Sequence, residues 1–418
     1  MSRLCEHLPS LGHATAIAAS RRLRILMISH TCQSRSEGLP KAEQLSSFAD
    51  LQLRVIVPDR WRHYGRWRQP DHPVDANYEQ EIGAVALPWM GPAQSYLHLY
   101  PRLKRTLLEF RPDVIDLWEE PWCLVSAQAC WLRNRLLPNT KIIAETEQNI
   151  RKMLPPPFGW FRSYTLANAD FAVARSGGAL NVLRELGYRG EAAVVPNAVD
   201  AELFHPLTPE RREAIRRELG WSGLVVGCVG RLVEEKGLMD VLQAVASCPN
   251  DVRLVIVGDG PLEKRLRKRA AALLIDNRVS LLGSRAAKEL PPLLGAMDAM
   301  VLASRTTRRW KEQFGRVIIE AHACGTPVIG SNSGAIPDVV GQGGIIFPEG
   351  DTAALSQAIL AVRHDAARRE RLGQIGRQQV EARYTWLRVA EQMRKIYVAA
   401  SDGARRDSDA GRSVGAGH

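Results

Sequence analysis

The sequence predicts an α/β protein of two domains, each a doubly wound parallel sheet, that face each other across a cleft. Apolar runs of strand length alternate with segments of helical periodicity from residue 23 onward, and the alternation restarts after residue 209. The 418 residues exceed the size at which a single core stops growing, which favours two domains over one large one. With 45% hydrophobic and 24% charged residues, the composition is typical of a soluble globular chain.

The predicted strands follow one another along both halves of the chain. Those of the first sheet are Leu23–Ser29, Leu53–Pro58, Ala84–Pro88, Asp113–Leu117, Lys141–Glu145, Asp170–Ala174 and Ala192–Val195. Those of the second sheet begin at Leu224, Val252, Val279, Ala299, Pro327 and Gly344. Because open α/β sheets bind ligands at the carboxyl ends of their strands, we expect the substrates to meet between the two sheets.

The segment WKEQFGRVIIEAHACGTPVIGSNSG, residues 310–334, has the most informative local pattern. Phe314 and Gly315 predict a turn, the residues from Arg316 to Cys324 have helical apolar spacing, and Gly325 predicts the helix end. Glu312 is therefore expected in a loop and Glu320 on a helix.

Two such carboxylates can accept hydrogen bonds from sugar hydroxyls, while a helix start offers N–H groups and a positive dipole end to a phosphate. Two glutamates at this spacing also occur by chance on solvent-facing helices, so the pair needs support from elsewhere in the chain.

That support comes from two strand exits upstream. The run LVVGCVGRLVEEKG, residues 224–237, ends in Gly230, followed by Arg231 and, five positions later, Lys236. Small residues at a strand exit let a ligand approach the backbone, and two cations at this spacing can converge on a diphosphate. The next strand, VRLVIVGDGP, ends in Gly258, Gly260 and Pro261 and is expected beside the first.

Taken in order, GRLVEEKG, VIVGDGP and KEQFGRVIIEAHACGTPVIGSNSGAIPDVV resemble the retaining glycosyltransferases of family 4, also called glycosyl transferases group 1, which have the GT-B fold of two Rossmann-like domains. The resemblance is specific from residue 194 to residue 362 and loose before it. It implies an acceptor-binding domain at 22–205, a nucleotide-sugar-binding domain at 206–384, and a helix at 385–400 that crosses back to the first domain. We further expect a flexible N-terminal extension at 1–21 and, because the last residues are polar and lack periodicity, a disordered tail at 401–418.

The resemblance also implies roles for individual residues. Arg231 and Lys236 would contact the donor diphosphate, Glu320 the ribose hydroxyls, and Glu312 the donor sugar. Arg231, Lys236 and Glu312 are accordingly the expected catalytic residues. The further donor-binding residues are expected to be Gly230, Gly258, Gly260, Pro261, Phe314, Gly315 and Arg316. Attack in this family is described as occurring on the face that the diphosphate leaves, with a phosphate oxygen taking the acceptor proton, so no protein base is assigned.

The amino-terminal half is where the acceptor is expected, and it departs from the family pattern. The first strand is followed by ISHTCQSRSEGLP, without the common Gly-Gly pair, and AETEQNIRK lacks the histidine that relatives often place beside the donor sugar. The candidate acceptor-binding residues are His30, Glu37, Gly38, Glu147 and Asn149. A structural role for the loop histidine is the alternative.

The formal net charge of +11 is compatible with three roles, and composition does not distinguish them: solubility, contact with an anionic membrane surface, or binding of an acidic polymer. Basic and aromatic residues are interleaved in DRWRHYGRWRQP, but no nucleic-acid motif accompanies them, so we expect no nucleic-acid partner. Seven scattered cysteines form no CxxC pair, and no run of residues predicts a membrane span or secretory signal. We expect a cytoplasmic protein, with peripheral contact at the inner membrane face left open.

The function predicted from the sequence is that of a metal-independent, retaining glycosyltransferase that moves a sugar from a nucleotide diphosphate to a carbohydrate or lipid-linked acceptor in polysaccharide or glycolipid synthesis. The nucleotide sugar is a co-substrate, and no cofactor is expected. Two alternatives are a non-catalytic protein that binds sugar nucleotides and a sugar-nucleotide epimerase. A nicotinamide enzyme is disfavoured because no GxGxxG follows a strand with an acidic residue about 20 positions later.

Overall fold

The computed structural model describes residues 21–63, 66–74, 77–85 and 94–413, so the predicted extension at 1–21 lies outside the described residues except for Arg21. The described chain contains a seven-stranded sheet, a six-stranded sheet and a two-stranded hairpin. All strand pairs in the two large sheets are parallel. The prediction of two doubly wound parallel sheets is confirmed.

The first sheet and its helices lie in the amino-terminal half. The strands are β1 Leu23–Ile28, β2 Leu51–Pro58, β3 Trp61–His63, β4 Arg66–Arg68, β5 Glu79–Gly83, β6 Val114–Leu117, β7 Lys141–Thr146, β8 Phe171–Ala174 and β9 Glu191–Val194. The helices are α1 Leu39–Ser46, α2 Gln94–Leu97, α3 Leu103–Phe110, α4 Leu124–Leu136, α5 Phe158–Asn168 and α6 Gly177–Glu185. The strand order in the large sheet is β5-β2-β1-β6-β7-β8-β9, and β3 pairs with β4.

The second sheet follows a connector. Its strands are β10 Leu224–Val229, β11 Val252–Val257, β12 Val279–Leu281, β13 Ala299–Leu302, β14 Val328–Ser331 and β15 Gly344–Phe347, in the order β12-β11-β10-β13-β14-β15. The helices are α7 Pro209–Glu218, α8 Leu238–Ala246, α9 Glu263–Ala272, α10 Leu290–Ala296, α11 Arg316–Ala323, α12 Ile336–Val340, α13 Thr352–His364, α14 Ala366–Gln379 and α15 Trp386–Ser413.

The central strand β10 shows why these sequences form parallel sheets. It reads LVVGCV and is buried over nearly its whole length, because helices cover both faces of the sheet. Val225 belongs to the core cluster on one face, and Val226 and Cys228 belong to the cluster on the other. Both strand faces are therefore apolar, and the strand appears in the sequence as a continuous apolar run.

The last helix, α15, packs against the amino-terminal domain, the contact implied by the family resemblance. Met393 and Tyr397 lie in the core cluster that contains β1 and β2, and the Tyr397 hydroxyl donates to Asp116 at 2.6 Å. Arg394 forms an ion pair with Asp50 at 2.8 Å. These contacts attach the end of the chain to the first domain.

One prediction about local structure was wrong. The edge strand is β5, Glu79–Gly83, rather than Ala84–Pro88, of which residues 86–88 lie outside the described residues. The polar sequence EQEIG forms this strand because an edge strand packs on one side only. The segment around Trp61 forms the β3–β4 hairpin, for which the sequence predicted no particular structure. Helix α15 extends to Ser413, and residues 414–418 lie outside the described part of the chain.

Candidate active site

The loops at the carboxyl ends of the two sheets meet each other. Asn149, after β7, donates from its amide nitrogen to the backbone oxygen of Glu312 at 2.8 Å. Gln313 donates back to the Glu147 carbonyl at 3.1 Å, and Arg316 donates to the Ser36 carbonyl at 2.7 Å. The loop before α11 therefore contacts both the β1 and the β7 exits, and the candidate residues of the two halves border one cleft.

The two glycine-rich strand exits of the second sheet are joined by backbone hydrogen bonds. Leu232 donates to Asp259 at 2.8 Å and accepts from Leu262 at 3.0 Å. Gly258 has φ +143°, and a Cβ there would overlap the carbonyl oxygen of Gly230. Gly258 is therefore required for the close approach of the two loops. Gly260 approaches Leu232 in the same way, and Pro261 is exposed where α9 begins.

The two predicted diphosphate contacts lie on one side of this pair of loops. Gly230, Arg231 and Lys236 line the same small pocket at the end of β10. Arg231 is exposed, whereas Lys236 lies in a one-turn 3-10 segment, Glu234–Lys236, that ends at the start of α8. The structure therefore brings the predicted cations together.

Glu312 is buried and pairs directly with Lys236. Its Oε2 atom accepts from the Lys236 ammonium at 2.7 Å and from the Ser304 hydroxyl at 2.7 Å. The Lys236 Nζ atom also lies 5.3 Å from the centre of the Trp310 ring. The donor-sugar carboxylate and the diphosphate cation predicted from the sequence thus form one preorganised unit.

The turn and helix predicted after Glu312 are present. Gly315 has φ +81° and caps α11, so a residue with a side chain would be strained there. The Phe314 ring packs at 5.9 Å against Tyr384 in the core, which leaves its backbone as the part that can reach a ligand. Glu320 lies on α11, 3.8 Å from Arg316, and burial raises the pKa of Glu320 although Arg316 opposes this effect.

On the predicted acceptor side, the structure leaves some of the predicted residues accessible and buries others. Gly38 is buried and its N–H donates to Thr31 and Ser34, so it does not offer a contact to the acceptor. Asn149 is buried against the Glu312 loop and supports the donor side instead. Glu147 remains 40% exposed, and Glu37 lies 3.4 Å from Arg68.

His30, another acceptor candidate, is held by Glu119 and Trp61. Its Nδ1 atom lies 2.7 Å from Oε2 of Glu119, and its backbone N–H donates to the other carboxylate oxygen at 2.6 Å. The ring stacks on Trp61 at 4.5 Å. Burial lowers the pKa of His30, but Glu119, with smaller contributions from Glu37 and Glu147, outweighs burial and raises it above the ordinary value.

Sequence reasoning missed two carboxylates, Glu119 and Glu120, that hold the acceptor side together. Burial acts to raise the pKa of Glu119, but His30 and His98 outweigh it and lower the pKa to about 2. Glu120 accepts from the Thr146 hydroxyl at 2.6 Å and from the Glu147 N–H at 2.9 Å, and burial raises its pKa to about 7. The sequence does mark these two glutamates in one way: they directly follow the apolar run of β6, at the edge of the sheet where open α/β proteins bind ligands.

The described residues contain no group of three or more His, Cys, Asp or Glu side chains that could hold a metal ion. The six described cysteines are buried, and none of them forms a disulfide bond with another described residue. Burial raises the pKa of Cys324 to about 12, which agrees with a packing role rather than that of a nucleophile. Among the described residues, no helix is both long and apolar enough to cross a bilayer.

Two family models match the chain in succession. The model described as Glycosyltransferase Family 4 matches residues 1–203, and the model described as Glycosyl transferases group 1 matches residues 211–379. The second match contains every predicted donor residue from Gly230 to Glu320.

Curated relatives share moderate identity with the chain. Glycogen synthase of Mycobacterium tuberculosis is 31% identical over 322 residues, which cover 73% of each protein. A GDP-mannose-dependent monoacylated alpha-(1-6)-phosphatidylinositol monomannoside mannosyltransferase of Corynebacterium glutamicum is 33% identical over 210 residues, 48% of this chain. The chain spans only 55% of that relative's length, and 67% of a D-inositol 3-phosphate glycosyltransferase of Corynebacterium jeikeium.

Solved structures share the fold. Anabaena Alr3699/HepE, in complex with UDP and glucose, matches with a TM-score of 0.69 at 20% identity and covers 90% of this chain and 100% of its own. Sucrose-phosphate synthase of Thermosynechococcus elongatus matches with a TM-score of 0.66 at 22% identity, covering 90% and 99%. These likenesses show that the two domains have the GT-B arrangement.

Proposed function

The chain belongs to glycosyltransferase family 4, the glycosyl transferases group 1, and we propose that it transfers a sugar, with retention of anomeric configuration and without a metal ion, from a nucleoside diphosphate sugar to a carbohydrate or lipid-linked acceptor. The observation that supports this most is the ion pair between Lys236 and Glu312, beside Arg231, at the carboxyl edge of the second sheet. In this proposal, Lys236 is the cation for the diphosphate and Glu312, in contact with it, is the carboxylate for the donor sugar.

The main chemical requirement of this reaction is stabilisation of the leaving diphosphate. As the bond between the anomeric carbon and the diphosphate breaks, negative charge grows on the leaving oxygen. Arg231 and Lys236 can stabilise that charge more strongly in the transition state than in the ground state, which lowers the barrier. The acceptor oxygen bonds to the same face of the anomeric carbon, and a phosphate oxygen takes its proton.

The Lys236 and Glu312 pair also explains how the two groups stay in position before the donor binds. Both are held by the one-turn segment before α8 and by the loop before α11, and the contact of Asn149 with the Glu312 carbonyl fixes that loop from the opposite domain. Catalytic groups fixed in this way avoid a reorganisation cost during the reaction.

The nature of the donor is a prediction from likeness. Curated relatives include GDP-mannose-dependent enzymes, and Anabaena HepE is seen with UDP and glucose. We expect the melting temperature to rise with one class among GDP-, UDP- and ADP-sugars, because a ligand at 100 times its dissociation constant stabilises the fold by about 2.7 kcal/mol. A thermal-shift screen measures this, and the same protein with Lys236→Ala serves as a control that should lose the shift. No shift with any nucleotide sugar would contradict the proposal.

We further propose that the amino-terminal domain contacts anionic membrane surfaces in the course of this function. Met153 is 99% exposed and Trp160 is 60% exposed, and both lie close in sequence to the exposed cations Arg151 and Lys152. Arg162 of α5 donates to the Lys152 carbonyl at 3.1 Å, which joins the basic segment to the helix that carries Trp160. Apolar side chains beside cations suit the interface of an anionic bilayer.

Vesicle flotation tests the membrane contact. Binding to vesicles of phosphatidylcholine with phosphatidylglycerol is expected to exceed binding to phosphatidylcholine alone, and Lys152→Glu should weaken it by about fivefold or more, since one basic residue contributes about 1 kcal/mol at such a surface. Leu274→Ser, which removes an exposed apolar residue of the second domain, is the matched control. Equal binding of the Lys152→Glu variant and the wild type would exclude this patch.

A further inference from the structure

We propose that His30, held by Glu119, donates a hydrogen bond to a hydroxyl group of an uncharged sugar acceptor, with Glu37 and Glu147 accepting from neighbouring hydroxyls. The inference rests on the proposed function and specifies the acceptor side of the same cleft. It adds the class of acceptor and the residue that recognises it.

The geometry fixes which ring nitrogen of His30 is available. Glu119 takes both the His30 backbone N–H and the Nδ1 atom, at 2.6 and 2.7 Å. Trp61 covers one face of the ring by stacking. Since the His30 side chain is 30% exposed whereas that of Glu119 is 1% exposed, the free edge of the ring with Nε2 is the part that a substrate can reach.

The charges around His30 select the kind of partner. Glu119 pairs with the ring and lies 3.7 Å from His98, and the charges of Glu37 and Glu147 also raise the pKa of His30. Both of these carboxylates have cations nearby: Arg68 lies 3.4 Å from Glu37, Arg175 lies 3.9 Å from Glu147, and the charge of Arg316 also acts on Glu147. One hydrogen-bond donor flanked by two carboxylates suits a ring that carries adjacent hydroxyls, because a hydroxyl both accepts and donates. An anionic acceptor group such as a phosphate or uronate would compete with these carboxylates for their cations, whereas a hydroxyl can bond to the carboxylates without breaking either ion pair.

The protonation state of His30 then controls acceptor affinity. The pKa of His30 is raised by Glu119, so the protonated form persists to higher pH than for an ordinary histidine. The charge-assisted hydrogen bond from Nε2 is present below this pKa and is lost as the pH rises through it. The KM for the acceptor should therefore increase with pH over this interval.

The test uses transfer from the donor class identified by thermal shift to octyl glucoside, octyl galactoside and octyl mannoside. His30→Gln should raise the KM for the accepted glycoside and lower kcat/KM by about 10- to 100-fold, the loss typical of one charged hydrogen bond. The rise of KM with pH should disappear in this variant. Glu119→Gln lowers the pKa of His30, so the rise should begin at lower pH.

If His30 only stabilised the fold, its replacement would also change the affinity for the donor and the rate of donor hydrolysis. Donor affinity, and hydrolysis of the donor by water without acceptor, should stay within threefold of wild type in both variants. His205→Gln, which changes an exposed histidine bonded to Pro206, is the matched control and should match wild type throughout. An unchanged acceptor KM in His30→Gln, or an equal loss of donor affinity, would overturn the inference while leaving the proposed function standing.

Two further outcomes decide the acceptor class. Octyl glycosides should serve as acceptors, and glucose 6-phosphate should neither accept nor compete. Stronger competition by glucose 6-phosphate than by octyl glucoside, or donor hydrolysis without transfer to any octyl glycoside, would contradict a neutral sugar acceptor. If the wild type neither transfers nor hydrolyses any nucleotide sugar, the proposed function itself fails.

Discussion

Replacing Arg231 by alanine is expected to lower kcat for sugar transfer by about 10²- to 10³-fold, the loss typical of one preorganised group that stabilises a developing negative charge. Arg231 lines the pocket at the end of β10 together with Lys236. Its contribution should appear mainly in kcat, because the charge on the leaving diphosphate grows as the bond breaks. Steady-state kinetics at saturating donor measures the effect.

The Arg231 variant has a suitable control on the same domain. Arg267 is an exposed arginine of α9 that pairs with Glu263 at 2.9 Å, and Arg267→Ala should leave kcat unchanged. Melting temperatures close to wild type would show that both variants are folded. Transfer by Arg231→Ala within threefold of wild type would refute the assignment of Arg231 to the diphosphate.

Glu312→Gln is expected to lower kcat/KM by about 10- to 100-fold, since a hydrogen bond to a charged group contributes about 1.5–3 kcal/mol. The carboxylate accepts from Lys236 and Ser304 through one oxygen. The amide keeps the shape of the side chain but removes the charge, so Lys236 loses its partner and the donor sugar loses a strong acceptor. The measurement is kcat/KM for the donor at fixed acceptor concentration.

The outcome for Glu312 separates a role in binding from a role in folding. Glu234→Gln changes a carboxylate in the same one-turn segment as Lys236 that pairs instead with the exposed Arg265, and it should be silent. If Glu312→Gln kept full kcat/KM, or if it lost activity only because the protein unfolds, the carboxylate would have no direct part in donor recognition.

The sequence predicted the two sheets well because their strands are buried on both faces. A strand such as β10 must then be apolar at nearly every position, and a continuous apolar run is easy to recognise. The edge strand β5 was misplaced because it is covered on one side only, so its polar sequence resembles a loop. The sequence could not show which tryptophans of the basic and aromatic segment are exposed; in the structure Trp61 is buried and stacks on His30.

The candidate site likewise has a donor side that the sequence predicted and an acceptor side that it predicted poorly. The donor residues lie within about a hundred positions and follow one motif, so their order along the chain was informative, and the structure brings Lys236 and Glu312 into contact. The acceptor side depends on contacts between distant segments, such as His30 with Glu119 across 89 positions. The roles of Glu119 and Glu120 could not be assigned from the sequence, because their hydrogen-bond partners lie in other segments and are identified only by the fold.

Metal-independent transfer with retention is tested most directly by following the reaction of one nucleotide sugar with one acceptor by proton NMR and determining the products. We expect a new glycosidic bond with the same anomeric configuration as the donor, formed in the presence of a metal chelator. A product of inverted configuration, a requirement for added metal ion, or conversion of the donor to an epimer without transfer would contradict it.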